Sequence, residues 1–368
     1  RIVQPCVAYP PIMYHRRFCD YPMTHWHWIL LLCCATWAQA MRLRAVPEGE
    51  SDDEALSAYD EREFELGFMS AGYARKCLSK PRQAWNISAA GLEADAQAFT
   101  QIAQPSDPKR KPKLALLMFA AQEVAHAPVW QAWFDQARRH NLAATMHVHA
   151  YRGKVTQKPA NSTAAPKTVP TRWCDIYDAE LYMIGLALQD KAITHLAIVS
   201  GDAVPLKSLS DIYHELEQNK SSRLCFDLHA GPPRAETWLL MRRSDAQLFH
   251  EHEELASRAF KVRCTEERSW LIPLLLRHEA GTGPAPVDQC VMFTDWVGSC
   301  KNWKKHTADL PLEQLRMQPH HEASPGHPRT YIKLDEPSWQ ELRAAPFWFG
   351  RKFASGAFAD LQSPYGFL

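Results

Sequence analysis

The chain has 368 residues, 46% of them hydrophobic and 23% charged, with 42 basic against 41 acidic side chains. That composition excludes a disordered polyelectrolyte, and a net charge of +1 without a basic stripe argues against a nucleic-acid partner. Thirteen tryptophans fill cores as readily as they stack on sugars, so their number alone decides nothing.

Near the start, an apolar run from Trp26 to Ala38 is short for a membrane span and ends in Ala38-Gln39-Ala40, a small-x-small pattern of the signal-peptidase type. Read from Met23 it is a cleavable signal. Read from Met13, with Arg16 and Arg17 in front, it stays as a short anchor, and a buried apolar helix is the third reading. Residues 1–40 are thus expected to send the chain into the secretory pathway, where some of its ten cysteines pair. At least one bridge is expected among Cys174, Cys225, Cys264, Cys290 and Cys300. The sequons at Asn86, Asn161 and Asn219 fit that compartment without proving it.

Residues 41–112 read as a helical stem closed by the proline- and charge-rich linker 104–113. The texture then changes. "KLALLMFAA" reads as a buried strand, "PVWQAWFDQARRH" as an amphipathic helix and "AATMHVHAY" as a second strand. A Lys-, Pro-, Ser- and Thr-rich loop over 153–171 follows, then the helix "DIYDAELYMIGLALQD", the strand "THLAIVS", the turn "GDAVPL" and the helix "LSDIYHELEQ". Further on come "TWLLMRRSDAQLFHEHEEL", "CTEERSWLIPLLL", "QCVMFTDW" and the C-terminal "PFWFGRKF". This alternation predicts an α/β domain over 113–368 with a mostly parallel central sheet flanked by helices. Sites in such sheets lie at the carboxyl ends of strands, which turns His147, His149, Ser200, Gly201 and Asp202 toward a crevice.

Taken singly, each candidate has a plain structural reading. His147 and His149 at i, i+2 have no evident third metal ligand, and Asp202 fits an ordinary strand-to-helix turn. Glu266 and Glu267 suit a helix start capped by Thr265. Arg351 and Lys352 lie among aromatics, where a charge needs a partner and a phosphate would serve. No G-x-S-x-G elbow, G-x-G-x-x-G turn or P-loop occurs.

In order, however, "TRWCDIYDAELYMIGLAL", "THLAIVSGDAVPL", "CTEERSWLIPLLL", "VMFTDW", "HPRT" and "WFGRKF" resemble the core-2/I-branching glycosyltransferases (family 14), the plant branch above all, over about residues 113–353. The resemblance implies a GT-A, Rossmann-like fold, a type II protein of the Golgi membrane, and inverting transfer from a UDP-sugar to a hydroxyl of a glycan or glycoprotein. It implies Glu267 as catalytic base, with Arg329 and Lys352 on the donor diphosphate. His149 and Asp202 are expected beside the donor, and Glu266, Asp295, Trp296 and Trp173 in supporting or acceptor positions. No metal or other cofactor is expected, and no Asp-x-Asp occurs anywhere in the chain. The sequence departs from the family at Glu266, where Asp is usual, at Arg268, where an aromatic or His is common, and at Gly350, where Ala is frequent.

Such chemistry needs a carboxylate to take the acceptor proton and fixed cations to stabilise the leaving diphosphate. One base suffices for a single inverting displacement. N-acetylglucosamine is the leading donor, with xylose and glucuronic acid as family alternatives. Two other classes stay open: a non-catalytic lumenal glycan-binding protein on the same scaffold, and a glycosidase using Glu266 or Glu267 with Asp202.

Overall fold

The computed structural model describes residues 98–107, 109–172, 175–227, 234–253, 266–297, 305–308, 310–312, 314–320, 327–359 and 361, all within one compact unit, Met69–Leu368. The signal or anchor segment, most of the stem, Trp173, Cys174, Cys264, Thr265, Cys300 and the side chain of Glu266 lie outside the described residues. Among those described, no helix is long and apolar enough to cross a membrane.

In chain order the elements are β1 (Leu114–Ala120), α1 (Ala127–Arg139), β2 (Ala144–Ala150), β3 (Ser162–Ala164), α2 (Tyr177–Leu188), β4 (His195–Ser200), β5 (Val204–Pro205) and α3 (Leu209–Gln218). Then come β6 (Arg223–Leu224), β7 (Phe226–Asp227), β8 (Arg234–Ala235), β9 (Leu240–Arg242), α4 (Arg243–Glu251), α5 (Glu266–Ser269) and α6 (Leu271–Glu279). The chain ends with β10 (Val287–Asp288), β11 (Met292–Thr294), β12 (Met317–Pro319), β13 (Tyr331–Leu334), α7 (Glu336–Ala344) and β14 (Phe349–Arg351).

The central sheet has seven strands in the order β10-β6-β9-β4-β1-β2-β3. β1 lies between β2 and β4, parallel to both, and all seven of its residues are buried. An unbroken apolar run, "LALLMFA", is what a strand covered on both faces requires. On one face, Leu114, Leu116 and Met118 pack with Trp130 and Trp133 of α1, Ile212 of α3 and Trp339 of α7. On the other, Ala115, Leu117 and Phe119 pack with Met183 and Ile184 of α2, Phe249 of α4 and Leu274 of α6. The expected layered α/β domain with a mostly parallel sheet is therefore observed. β9 is the exception, antiparallel to β4 and to β6.

Local sequence explains several boundaries. Ser208 and Asp211 close a capping box at the start of α3. Pro273 has no N–H to give the carbonyl of Ser269, so the helix begun at Glu266 breaks at Trp270 and resumes as α6. Inside the 153–171 segment, read from sequence as a loop, Ser162–Ala164 pairs with β2 as an edge strand. The end of the stem segment is docked on the α/β domain: Phe99 is buried and stacks on Phe249 at 5.4 Å. Arg277 donates to the carbonyls of Phe99 and Ile102 at 3.0 and 2.6 Å, and the Asp107 carboxylate accepts from the Ser244 amide at 2.8 Å.

The strand order defines where a ligand crevice belongs. The chain builds β2 and β3 on one side of β1, then returns to place β4 on the other, so the order reverses between β1 and β4. Crevices in open α/β sheets lie at the carboxyl ends of the strands flanking such a reversal. There, the amide of Gly201 donates to the Phe119 carbonyl at 2.6 Å, and the Gly201 carbonyl accepts from the Ala125 amide at 3.0 Å. A side chain on Gly201 would place its Cβ 2.6 Å from Cβ and 2.7 Å from Cα of Ala120, so glycine is needed for this approach.

Candidate functional site

Topology gathers distant segments at the same edge. Because β9 runs antiparallel, it starts where β4 ends: Leu240 pairs with Ala197, and the Ile198 amide donates to the Leu239 carbonyl. Residues 234–238 therefore stand at the carboxyl end of β4. A small sheet, β11-β14-β5, brings the C-terminal segment to the turn after Asp202 through Gly350 paired with Val204. It also aligns β11 with β14, so that Asp295 and Trp296 emerge beside Lys352.

Glu267 lies in α5 with about a quarter of its side chain exposed, and its Oε2 is 3.6 Å from Nη1 of Arg234. Burial raises its pKa above the usual carboxylate value; the positive charges of Arg234 and Arg268 oppose that rise, and the charge of Glu236 adds to it. Glu236 is buried, accepts a hydrogen bond from Nε1 of Trp296 at 2.6 Å, and pairs with Nδ1 of His306 at 3.0 Å. Glu267, Arg234, Glu236 and Trp296 thus form one connected patch.

Beside it, Nη1 of Arg329 donates to Oδ2 of Asp295 at 2.9 Å, the Tyr331 hydroxyl donates to the same oxygen, and the Arg329 amide donates to the Asp295 carbonyl at 2.8 Å. The Tyr331 amide in turn donates to the Lys352 carbonyl at 2.9 Å, which joins "HPRT" to "GRKF". Burial works to lower the Arg329 pKa, but the Asp295 contact outweighs it and holds the guanidinium more firmly charged. Arg351, expected to need a partner among the aromatics, has two: Nε is 3.3 Å from Oδ1 of Asp202, and the guanidinium sits 4.6 Å over the Trp238 ring. Burial pushes the Asp202 pKa up, yet Arg351, Lys352, the Ser200 hydroxyl and His126 together hold it below the usual carboxylate value.

The structure therefore brings Glu267, Trp296, Asp295, Arg329, Lys352 and Asp202 to one edge of the fold. His149 stands apart. It ends up fully buried beside the Phe119 ring, with Nε2 accepting from the Val169 amide at 2.9 Å, and burial lowers its pKa. Sequence reasoning passed over Arg234, Glu236, Trp238 and His306. None sits in a periodic element long enough to signal a face, and Glu236 reaches Trp296 across 60 positions. The one local signal was "PRAETW" itself, which alternates charged and apolar residues directly before a strand.

The expected bridge within the α/β region joins Cys225, which follows β6, to Cys290, which follows β10; the two strands pair in parallel. Two surface depressions, one lined by Asp107, Thr194, His195 and Lys220 and one by Leu315, Met317, Lys333 and Asp335, lie apart from the gathered residues.

At this level the fold and edge define a mixed α/β protein built on a seven-stranded, mostly parallel sheet. No protein-family model matches the chain, and no curated protein matches it either.

Proposed function

We propose that this chain is an inverting glycosyltransferase of GT-A type that moves a sugar, N-acetylglucosamine first among the candidates, from a UDP-sugar to a hydroxyl of a glycan or glycoprotein. The observation that carries the reading is one juxtaposition at the carboxyl edge. A carboxyl whose pKa is raised by burial, Glu267, shares that edge with Arg329 and Lys352, cations from two other segments. In the single displacement, Glu267 takes the acceptor hydroxyl proton as the oxygen attacks the anomeric carbon, and UDP leaves from the opposite face. A raised pKa makes that carboxylate a stronger proton acceptor than an ordinary surface glutamate.

The departing diphosphate gains negative charge, which fixed cations stabilise in a site poor in water. Arg329 commits Nη1 to Asp295 and keeps 40% of its side chain exposed, so the rest of its guanidinium can meet a phosphate. Asp202 draws Arg351 and leaves Lys352 as the second cation of the segment. The absence of an Asp-x-Asp in the sequence underlies the further proposal that the donor is held without a divalent ion. The apolar run Trp26–Ala38 and the sequons underlie a place in the secretory pathway at the Golgi membrane.

The test is to incubate the full chain with a panel of UDP-sugars and glycan acceptors, with and without EDTA. Transfer from one donor in EDTA, lost in Glu267→Gln, is the expected result. If every donor is inert, or if Glu267→Gln transfers as well as the parent, the reading fails. Glycan binding without turnover would favour a lectin-like role instead.

A further inference from the structure

Away from the proposed base and donor cations, four side chains of metal-ligating type meet beside the paired ends of β6 and β10. Cys225 follows β6, Cys290 follows β10, Glu236 follows β8, and His306 comes from the turn at residue 305. All four are buried, between 2% and 7% exposed. The sulfurs of Cys225 and Cys290 and the imidazole of His306 offer ligand atoms all within 4.8 Å of one another.

The spacing can be compared with what a metal needs. A tetrahedral zinc centre, with Zn–S near 2.3 Å and Zn–N near 2.0 Å, sets its sulfur and nitrogen ligands roughly 3.5 Å apart. Sγ of Cys225 is 3.4 Å from Nδ1 of His306, and that nitrogen is 3.0 Å from Oε1 of Glu236. The turn carrying His306 is tied to both cysteine-bearing strands. Lys305 Nζ donates to the Asp288 carboxylate at 2.8 and 3.1 Å and to the Phe226 carbonyl, and Asp288 Oδ1 accepts from the Phe226 amide at 3.1 Å. The imidazole is thus aimed at the sulfurs by fixed neighbours. As they stand, the two sulfurs are joined to each other and offer no thiolate.

We infer that Cys225, Cys290, His306 and Glu236 form a zinc site that opens when the Cys225–Cys290 disulfide is reduced. A dithiol reductant supplies two electrons and two protons: the S–S bond breaks, each cysteine gains a proton, and the reductant becomes a disulfide. Zinc then displaces one proton from each thiol, and the neutral imidazole and the Glu236 carboxylate complete an S2NO set. Two sulfurs and a nitrogen suit zinc and exclude magnesium or calcium as the resident ion. The same cluster is a bridge in an oxidising compartment and a metal centre in a reducing one. The inference does not depend on the proposed transferase activity.

The experiment compares the full chain, oxidised and after reduction by a trialkylphosphine under nitrogen, with the same chain carrying His306→Asn and with the double variant Cys225→Ser, Cys290→Ser. Zinc retained after desalting and the cobalt–thiolate absorption of Co2+-loaded protein are read for each. The reduced parent should hold about one zinc more than the oxidised protein. His306→Asn should weaken that site roughly 10- to 100-fold or more, and the double variant should lose it. The chain has ten cysteines, so only the difference from the variants assigns the metal to this cluster. Should the double variant fail to fold, His306→Asn still decides. Unchanged cobalt absorption and zinc affinity in that variant, or no zinc on the reduced parent, would overturn the inference.

Discussion

Nη1 of Arg234 stands 3.6 Å from Oε2 of Glu267, joining a residue just before the antiparallel strand of the sheet to the first turn of α5. The contact opposes, without cancelling, the rise in the Glu267 pKa that burial imposes. If Glu267 is the base, the rate must fall on the acid side as this carboxyl gains its proton. Its acid limb should then lie above that of an ordinary glutamate. Replacing Arg234 by Gln removes the lowering charge and should move the limb further up in pH, measured as kcat/KM against pH. A limb that stays in place would break the link between the pair and catalysis.

Glu267→Gln should lower transfer by about a hundred- to ten-thousandfold without loss of stability at neutral pH. A carboxyl with a raised folded-state pKa binds more protons folded than unfolded, so its ionisation costs stability as pH rises from the ordinary carboxylate pKa through the raised one. The amide removes that cost. Thermal unfolding at pH 7 should therefore show the variant at least as stable as the parent, and a marked loss of Tm would mean that Glu267 serves the fold.

Gly201→Ala should destabilise the domain by about 1–3 kcal/mol, because the new methyl meets Ala120 Cα at 2.7 Å. Denaturant unfolding measures it. The same change at Gly281, where a Cβ meets nothing within 4 Å but φ is +68°, should cost less than that clash, since only local backbone strain opposes it.

His195 is buried, its Nδ1 3.0 Å from the Thr194 hydroxyl and its Nε2 3.2 Å from the Lys220 carbonyl. Burial pushes its pKa down to about 4 from the ordinary 6.5. The fold thus prefers the neutral ring, and the stability this contributes is complete above pH 6.5 and lost as pH falls toward 4. The loss should reach about 3 kcal/mol at most. Burial also lowers His126, His147 and His149, so the difference between the parent and His195→Gln isolates this residue. Parallel stability curves for the two proteins would sink the prediction.

Trp270 donates from Nε1 to the buried Glu180 carboxylate at 2.8 Å and stacks on Tyr177 at 4.7 Å. Trp270→Phe keeps a ring but takes away that donor, which should cost about 1–3 kcal/mol. Restoring the balance with Glu180→Leu in the same chain should recover part of the loss, as urea titration of the single and double variants would show. A fully additive pair would mean that the hydrogen bond contributes nothing.

The order of strands and helices was legible because each long element carries its own period: "LALLMFA" is apolar throughout, and α1 repeats Val129, Trp130, Trp133, Phe134 and Ala137 on one face. Burial alone dictates such patterns, and burial acts locally on the choice of residue. The order of motifs likewise pointed to Glu267, Arg329 and Lys352 before any geometry was known, and Cys225 and Cys290 were already among the cysteines expected to pair. Tertiary structure decided the rest. β3 exists only because β2 offers it an edge, and the two-residue strands β6, β8 and β10 have no period to read. His147 and His149 look alike in sequence, yet the Phe119 ring and the Val169 amide enclose His149. Arg351 sits among aromatics with its charge answered by Asp202, 149 positions away. Composition and period follow from whether a residue meets water. Which charge meets which follows from the antiparallel turn of β9 and the reversal of strand order between β1 and β4, and chain closure over long distances sets both.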